Sequence, residues 1–133
     1  MAREHNILLV DDERRVLNAL SRMLLEEDYR ILKALNGYDA LEAIKNNRVD
    51  LIISDQRMPG MSGLAFLKKA AEVDPWTVKI MLTGYLDINE AMETINEAGI
   101  YKFIRKPWDE DELKSTIRNG LEWRRMRRDL LSL

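Results

Sequence analysis

Short unbroken apolar runs alternate along this chain with longer stretches in which apolar residues return every three to four positions. The runs "HNILLVDD", "YRILKAL", "DLIISD", "TVKIMLTG" and "IYKFIRKP" lack strict apolar/polar alternation, which is the pattern of strands covered on both faces. The longer stretches predict helices. Glu13 to Glu27 gathers Val16, Leu17, Leu20, Met23 and Leu24 on one face, and the turn Asn36-Gly37 leads into Ala40, Leu41 and Ile44. Ser62 can cap a third helix whose inner face is read as Leu64, Ala65 and Leu67, and Asp74-Pro75 ends it by steric restriction. Ile88, Ala91, Met92 and Ile95 form a fourth stripe that stops at Ala98-Gly99. Asp109 opens a last helix with Leu113, Ile117 and Leu121 inward.

Five successive βα units joined by right-handed crossovers imply an α/β protein with a parallel sheet between two helical layers. At 133 residues the chain is too short for an eight-stranded barrel. The expected architecture is a flavodoxin-like (βα)5 three-layer sandwich with strand order 2-1-3-4-5.

Composition narrows the picture. The length fits one domain, and 46% apolar with 33% charged residues is a globular balance. A net charge of -2 predicts no general attraction to nucleic acid or anionic lipid. There is no cysteine, no apolar run long enough to span a membrane and no signal peptide, from which cytoplasmic residence is expected. The one compositional shift is the basic end "RNGLEWRRMRRDLLSL"; its Arg124, Arg125, Arg127 and Arg128 are read as a solvated helix end rather than a nucleic-acid contact.

In such sheets ligands bind at the carboxyl ends of the strands. Asp11 and Asp12 follow strand one, Asp55 ends strand three, Thr83 ends strand four and Lys106 ends strand five. Each has an ordinary explanation, as a cap, a turn former or a rim charge. Taken together, three carboxylates at one edge repel one another. A hard cation with oxygen ligands resolves that conflict, and Mg²⁺ takes one or two carboxylates while keeping room for water or phosphate oxygens.

The motifs "LLVDDE", "DLIISDQRMPGMSG", "IMLTGY" and "YKFIRKP", in this order and spacing, make the chain up to about Arg118 resemble the receiver domain of two-component response regulators. The resemblance implies that Asp55 is the phosphoacceptor, loaded by a histidine kinase or phosphotransfer protein. It implies Mg²⁺ held by Asp12 directly, by Asp11 through water, by Asp55 and by the backbone carbonyl of Arg57. Thr83 is similar to the switch hydroxyl, Tyr101 to the switch aromatic and Lys106 to the lysine that contacts the phosphoryl group. Lys106-Pro107 is similar to the family's cis peptide.

Such a domain acts only on itself, so no separate substrate is expected to be turned over. Arg57 and Tyr85, two residues beyond Asp55 and Thr83, are expected to flank the phosphoryl group and slow its hydrolysis. Residues 1–120 are assigned to the receiver domain and 121–133 to an extension of the last helix, a linker to an output domain. The wording "LTGY…YKFIRKPW" is similar to receivers that precede cyclic-dinucleotide phosphodiesterase domains. Trp123, Met126, Leu130 and Leu133 recur at the spacing of a two-helix seam, so weak self-association tightened by phosphorylation is expected.

Three other classes compete with this reading. A flavodoxin-like nucleotide binder needs a Gly-rich phosphate-cradling loop after a strand, and no strand here is followed by one. A magnesium-dependent phosphatase with an aspartate nucleophile requires Asp-x-Asp, and here Arg57 stands in the second place. A phosphorylation-independent interaction module needs no complete acidic and switch set, yet the set is complete.

Overall fold

The computed structural model describes residues 5–84 and 98–131. The strands are β1 (His5–Val10), β2 (Tyr29–Ala34), β3 (Leu51–Asp55), β4 (Val78–Thr83) and β5 (Lys102–Arg105). The helices are α1 (Arg14–Met23), α2 (Gly37–Asn46), α3 (Gly63–Val73) and α4 (Glu110–Leu131). All strand pairs are parallel, and the order is β2-β1-β3-β4-β5, as expected. The helix expected around Ile88 to Ile95 lies outside the described residues.

The unbroken apolar runs have a simple cause. Alternate residues of one strand serve two cores. Ile7, Leu9, Leu51, Ile53, Ile80 and Leu82 face one side, with Leu17 and Leu20 of α1 and Leu113, Ile117 and Leu121 of α4. Leu8, Val10, Ile52 and Met81 face the other, with Ala40 of α2 and Phe66, Leu67 and Ala70 of α3. In β3 and β4 both faces are covered, so apolar residues occupy both parities, with Ser54, Lys79 and Thr83 as buried polar exceptions.

Side chains cap the starts of α2, α3 and α4, whereas α1 begins after Glu13 without a side-chain cap. Asn36 Oδ1 accepts from the Asp39 N–H at 2.8 Å, Ser62 Oγ from Ala65 at 3.1 Å and Asp109 Oδ2 from Glu112 at 3.0 Å.

Three readings need correction. The first helix ends at Met23 rather than Glu27; Leu24 is buried past its end, and the chain turns there so that the Glu27 N–H bonds the Leu24 carbonyl. In α3 the inward residues are Phe66, Leu67 and Ala70, while Leu64 and Ala65 are only partly buried. The phase is set by Gly63, whose backbone lies so close to the end of β3 that an added Cβ would stand 2.0 Å from the Asp55 carbonyl oxygen.

The third correction concerns the arginines, which are not uniformly solvated. The Arg124 side chain is 11% exposed; its Nε lies 3.2 Å from Asp50 Oδ1 and its Nη2 lies 3.2 Å from Asp74 Oδ2. Arg127 stacks over Trp76 and Trp123, and Arg125 pairs with Glu122 along the helix. α4 runs through Gly120 without a break, and side-chain contacts to the domain continue as far as Arg127. Beyond Trp123 the seam residues Met126 and Leu130 are exposed. Among the described residues, no helix is long and apolar enough to cross a membrane.

Candidate functional site

The parallel sheet brings the carboxyl ends of β1, β3, β4 and β5 to one edge, and with them the residues singled out by sequence. Asp11 follows β1 and is almost wholly buried, whereas the adjacent Asp12 is exposed. Asp11 is pinned by two bonds: its own N–H donates to the Ala34 carbonyl at 3.2 Å, and its Oδ1 accepts from the Glu13 N–H at 2.9 Å. Asp55 is the last residue of β3, paired in register with Leu82 of β4. A strand buried on both faces and locked between neighbours holds this carboxylate still.

Lys106 joins the two acids. Its ammonium lies 3.1 Å from Asp11 Oδ2 and 3.2 Å from Asp55 Oδ1. The Lys106 backbone is held in turn, its N–H donating to the Thr83 carbonyl at 2.8 Å, and the Lys106-Pro107 bond is cis. Burial opposes the charge on Lys106, but hydrogen bonds and attraction from Asp11 and Asp55 outweigh it and hold its pKa above the usual lysine value. For Asp11, burial dominates and pushes the carboxyl up, against the Glu13 N–H and Lys106.

Among the described residues, one lysine therefore contacts two of three clustered carboxylates, those of Asp11, Asp12 and Asp55, each offering an oxygen within 4.8 Å of the others. The set is under-neutralised and all-oxygen, and it fits a hard divalent cation such as Mg²⁺ rather than a softer metal.

Thr83 is buried at the end of β4, paired with Arg105 of β5. Arg57 lies exposed in the loop after β3. Tyr85 lies outside the described residues. Tyr101 is not with the acids: it precedes β5, its N–H donates to the Lys79 carbonyl, and its ring is turned outward against Trp123 of α4, 6.0 Å between centroids.

Two residues that support the site escaped the sequence reading. Gln56 caps α3 twice, its carbonyl accepting from Gly63 at 2.9 Å and its side chain from the Leu64 N–H at 2.8 Å. Gly63 permits the close approach behind Asp55. A glycine directly after a capping serine, one loop past a site carboxylate, is the signal that could have marked it.

Comparison with known proteins agrees with this geometry. Residues 7–118 match the response regulator receiver domain. The hydrogenase transcriptional regulatory protein HoxA of Cupriavidus necator is 38% identical over 96% of this chain, which spans 26% of that protein. Sporulation initiation phosphotransferase F of Bacillus subtilis is 31% identical, with 86% of this chain and 92% of that protein covered. The signal receiver domain of an HD domain-containing protein from Pseudomonas fluorescens Pf-5 superposes with a TM-score of 0.89 at 35% identity, covering 93% and 99% of the two chains. The chain spans about a quarter of the length of the first curated relatives it matches. With a 2-1-3-4-5 sheet, an acidic triad and a lysine at its carboxyl edge, and a match over most of its length, the chain belongs to the response regulator receiver domain family.

Proposed function

We propose that Asp55 accepts a phosphoryl group from a histidine kinase or phosphotransfer protein and that Thr83 and Tyr101 relay its arrival to an output surface. The observation that carries this reading is the Lys106 ammonium held between Asp11 and Asp55, at 3.1 and 3.2 Å, in a cluster with a surplus of carboxylates. In the transfer, an Asp55 carboxylate oxygen forms the new O–P bond as the bond from phosphorus to the donor's nitrogen or oxygen breaks, and the leaving group departs with that electron pair. Lys106, already placed against Asp55, meets the negative charge on the equatorial phosphoryl oxygens. Asp11, Asp12, Asp55 and the Arg57 carbonyl would hold Mg²⁺, which when bound supplies further positive charge to those oxygens.

The added phosphate brings about -1.5 to -2 charge. The Thr83 hydroxyl then donates to it, and Tyr101 turns inward into the space vacated. Arg57 and Tyr85 flank the group and slow its hydrolysis. The chemistry stays on this chain, so the domain is a switch rather than an enzyme with its own substrate. The proposal extends to a cytoplasmic setting, an output domain beyond residue 120 and weak self-association through α4, without nucleic-acid binding by this segment.

Intact-mass measurement after incubation with acetyl phosphate or phosphoramidate and Mg²⁺ tests it. One phosphoryl group should be gained, none by Asp55→Asn or Asp12→Ala, and one still by Thr83→Ala. A phosphorylated Asp55→Asn protein, or a folded wild type that gains nothing, refutes the assignment.

A further inference from the structure

Tyr101 occupies a built seat, and the seat is on α4. Its ring lies 6.0 Å from that of Trp123, tilted by 41°. One helical turn before Trp123 stands Gly120, buried in mid-helix, where glycine is a poor helix former. The local packing explains its presence. A Cβ at Gly120 would stand 2.9 Å from Val78 Cγ1 of β4 and 3.3 Å from Cε2 of Tyr101, so glycine lets the helix lie on the sheet and the tyrosine ring lie across the helix. Trp123 is held in turn by the Arg127 guanidinium, 5.2 Å from its ring centroid, and the same guanidinium lies 4.6 Å from the Trp76 ring ahead of β4. Tyr101, Trp123, Arg127 and Trp76 thus form a continuous ladder along α4.

We infer that Gly120 and Trp123 are the outward seat of Tyr101, and that loss of the Tyr101–Trp123 contact is the event through which phosphorylation reaches the end of α4. This deepens the proposed function and rests on its reading of Tyr101 as a switch. When the ring turns inward, Trp123 loses its contact with Tyr101 and keeps the one with Arg127. A change at the site then becomes a change in how the segment after Gly120 is held. Trp123 and Arg127 are positioning residues in this scheme; neither touches the acidic cluster.

Fluorine NMR of the full chain labelled with 5-fluorotryptophan tests the idea. The three tryptophans, Trp76, Trp108 and Trp123, are assigned by single Trp→Phe variants. Beryllofluoride with Mg²⁺ serves as the phosphoryl mimic, and its own bound fluorine signal reports occupancy of the site. Occupancy should shift the Trp123 resonance. In Tyr101→Ala that resonance should already be displaced without the mimic and should not move further when it binds. A second variant separates the tyrosine seat from packing on Val78: in Val78→Ala/Gly120→Ala the clash with β4 is relieved while Tyr101 remains crowded, so Trp123 should be displaced in the free protein. Occupancy with an unmoved Trp123, or an undisturbed Trp123 in the double variant, overturns the inference alone. Absence of bound beryllofluoride in the wild type overturns the phosphoacceptor reading beneath it, and the inference with it.

Discussion

Arg124→Leu is the substitution that most sharply separates a folded-in arginine from a solvated one. Arg124 reaches two carboxylates at once, and the Asp50 side chain is only 2% exposed. Breaking a buried ion pair by removing one partner costs about 3–5 kcal/mol because the other charge is left without compensation. Asp50 would keep the Asn6 N–H at 2.8 Å and the Arg48 guanidinium at 3.2 Å, but Arg48 is half exposed and its attraction is screened. The expected loss is therefore about 2–3 kcal/mol. For a chain of 133 residues that corresponds to a fall of about 7–11 °C in Tm. Arg125→Leu, which removes an exposed pairing with Glu122, should fall by much less.

The pH dependence adds a check on the cause. Burial would raise the Asp74 carboxyl, but the Trp76 N–H and Arg124 outweigh it and hold the group below its usual value of 3.8. A depressed carboxylate contributes stability that is present above its unfolded value and lost as pH falls through the folded one. The gap between wild type and Arg124→Leu should thus be flat down to about pH 5 and shrink below about pH 4. Thermal melts followed by circular dichroism across this range read both effects. If Arg124→Leu melts within about 2 °C of the wild type, or if Arg125→Leu falls as far, the reasoning from burial is wrong.

Gly63→Ala should cost more than about 3 kcal/mol in urea unfolding, because the obstacle 2.0 Å from the new Cβ is the Asp55 backbone and cannot swing away as a side chain would; wild-type stability would mean that α3 can shift without harm. Lys79 is 1% exposed, and burial pushes its ammonium below the usual lysine pKa. Because the unfolded chain then binds the extra proton, wild-type stability should rise as pH climbs toward 10.5, and Lys79→Met should remove that rise while gaining about 1 kcal/mol at neutral pH. Loss of stability in Lys79→Met would show that the 2.9 Å bond from its ammonium to the Thr77 carbonyl outweighs desolvation.

The parts of this molecule legible in the sequence are those whose meaning is local or topological. Leu51, Ile52 and Ile53 announce a strand covered on both faces, and once five such strands are ordered, Asp11, Asp55 and Lys106 must share an edge. What stayed hidden depends on contacts across the fold. Leu64, Ala65 and Leu67 make as good a stripe as Phe66, Leu67 and Ala70, and the choice between them is set by the approach of Gly63 to Asp55. Arg124 reads like its neighbours because nothing near it in the chain marks it; its partners lie 74 and 50 residues away.

The two ends of the sheet use the same side-chain chemistry to opposite purposes, and charge balance is what distinguishes them. At the amino ends, Asp50 and Asp74 face Arg48, Arg124 and Lys79, so every carboxylate is matched. The surplus there is positive, and it falls on Lys79, which is buried beside Arg124 and gives up charge most readily of the three because guanidinium groups stay protonated. Such a cluster can be sealed and left alone. At the carboxyl ends, among the described residues, Asp11, Asp12 and Asp55 cluster around the single ammonium of Lys106, and the balance of these four groups is negative. The Lys106 ammonium, against Asp11 and Asp55, offsets only part of the carboxylate charge. The remaining relief is a cation from solution, which makes the readiness of this edge for chemistry depend on something outside the chain. That dependence suits the end of the sheet that receives a signal, and it would be a defect at the end that anchors α4.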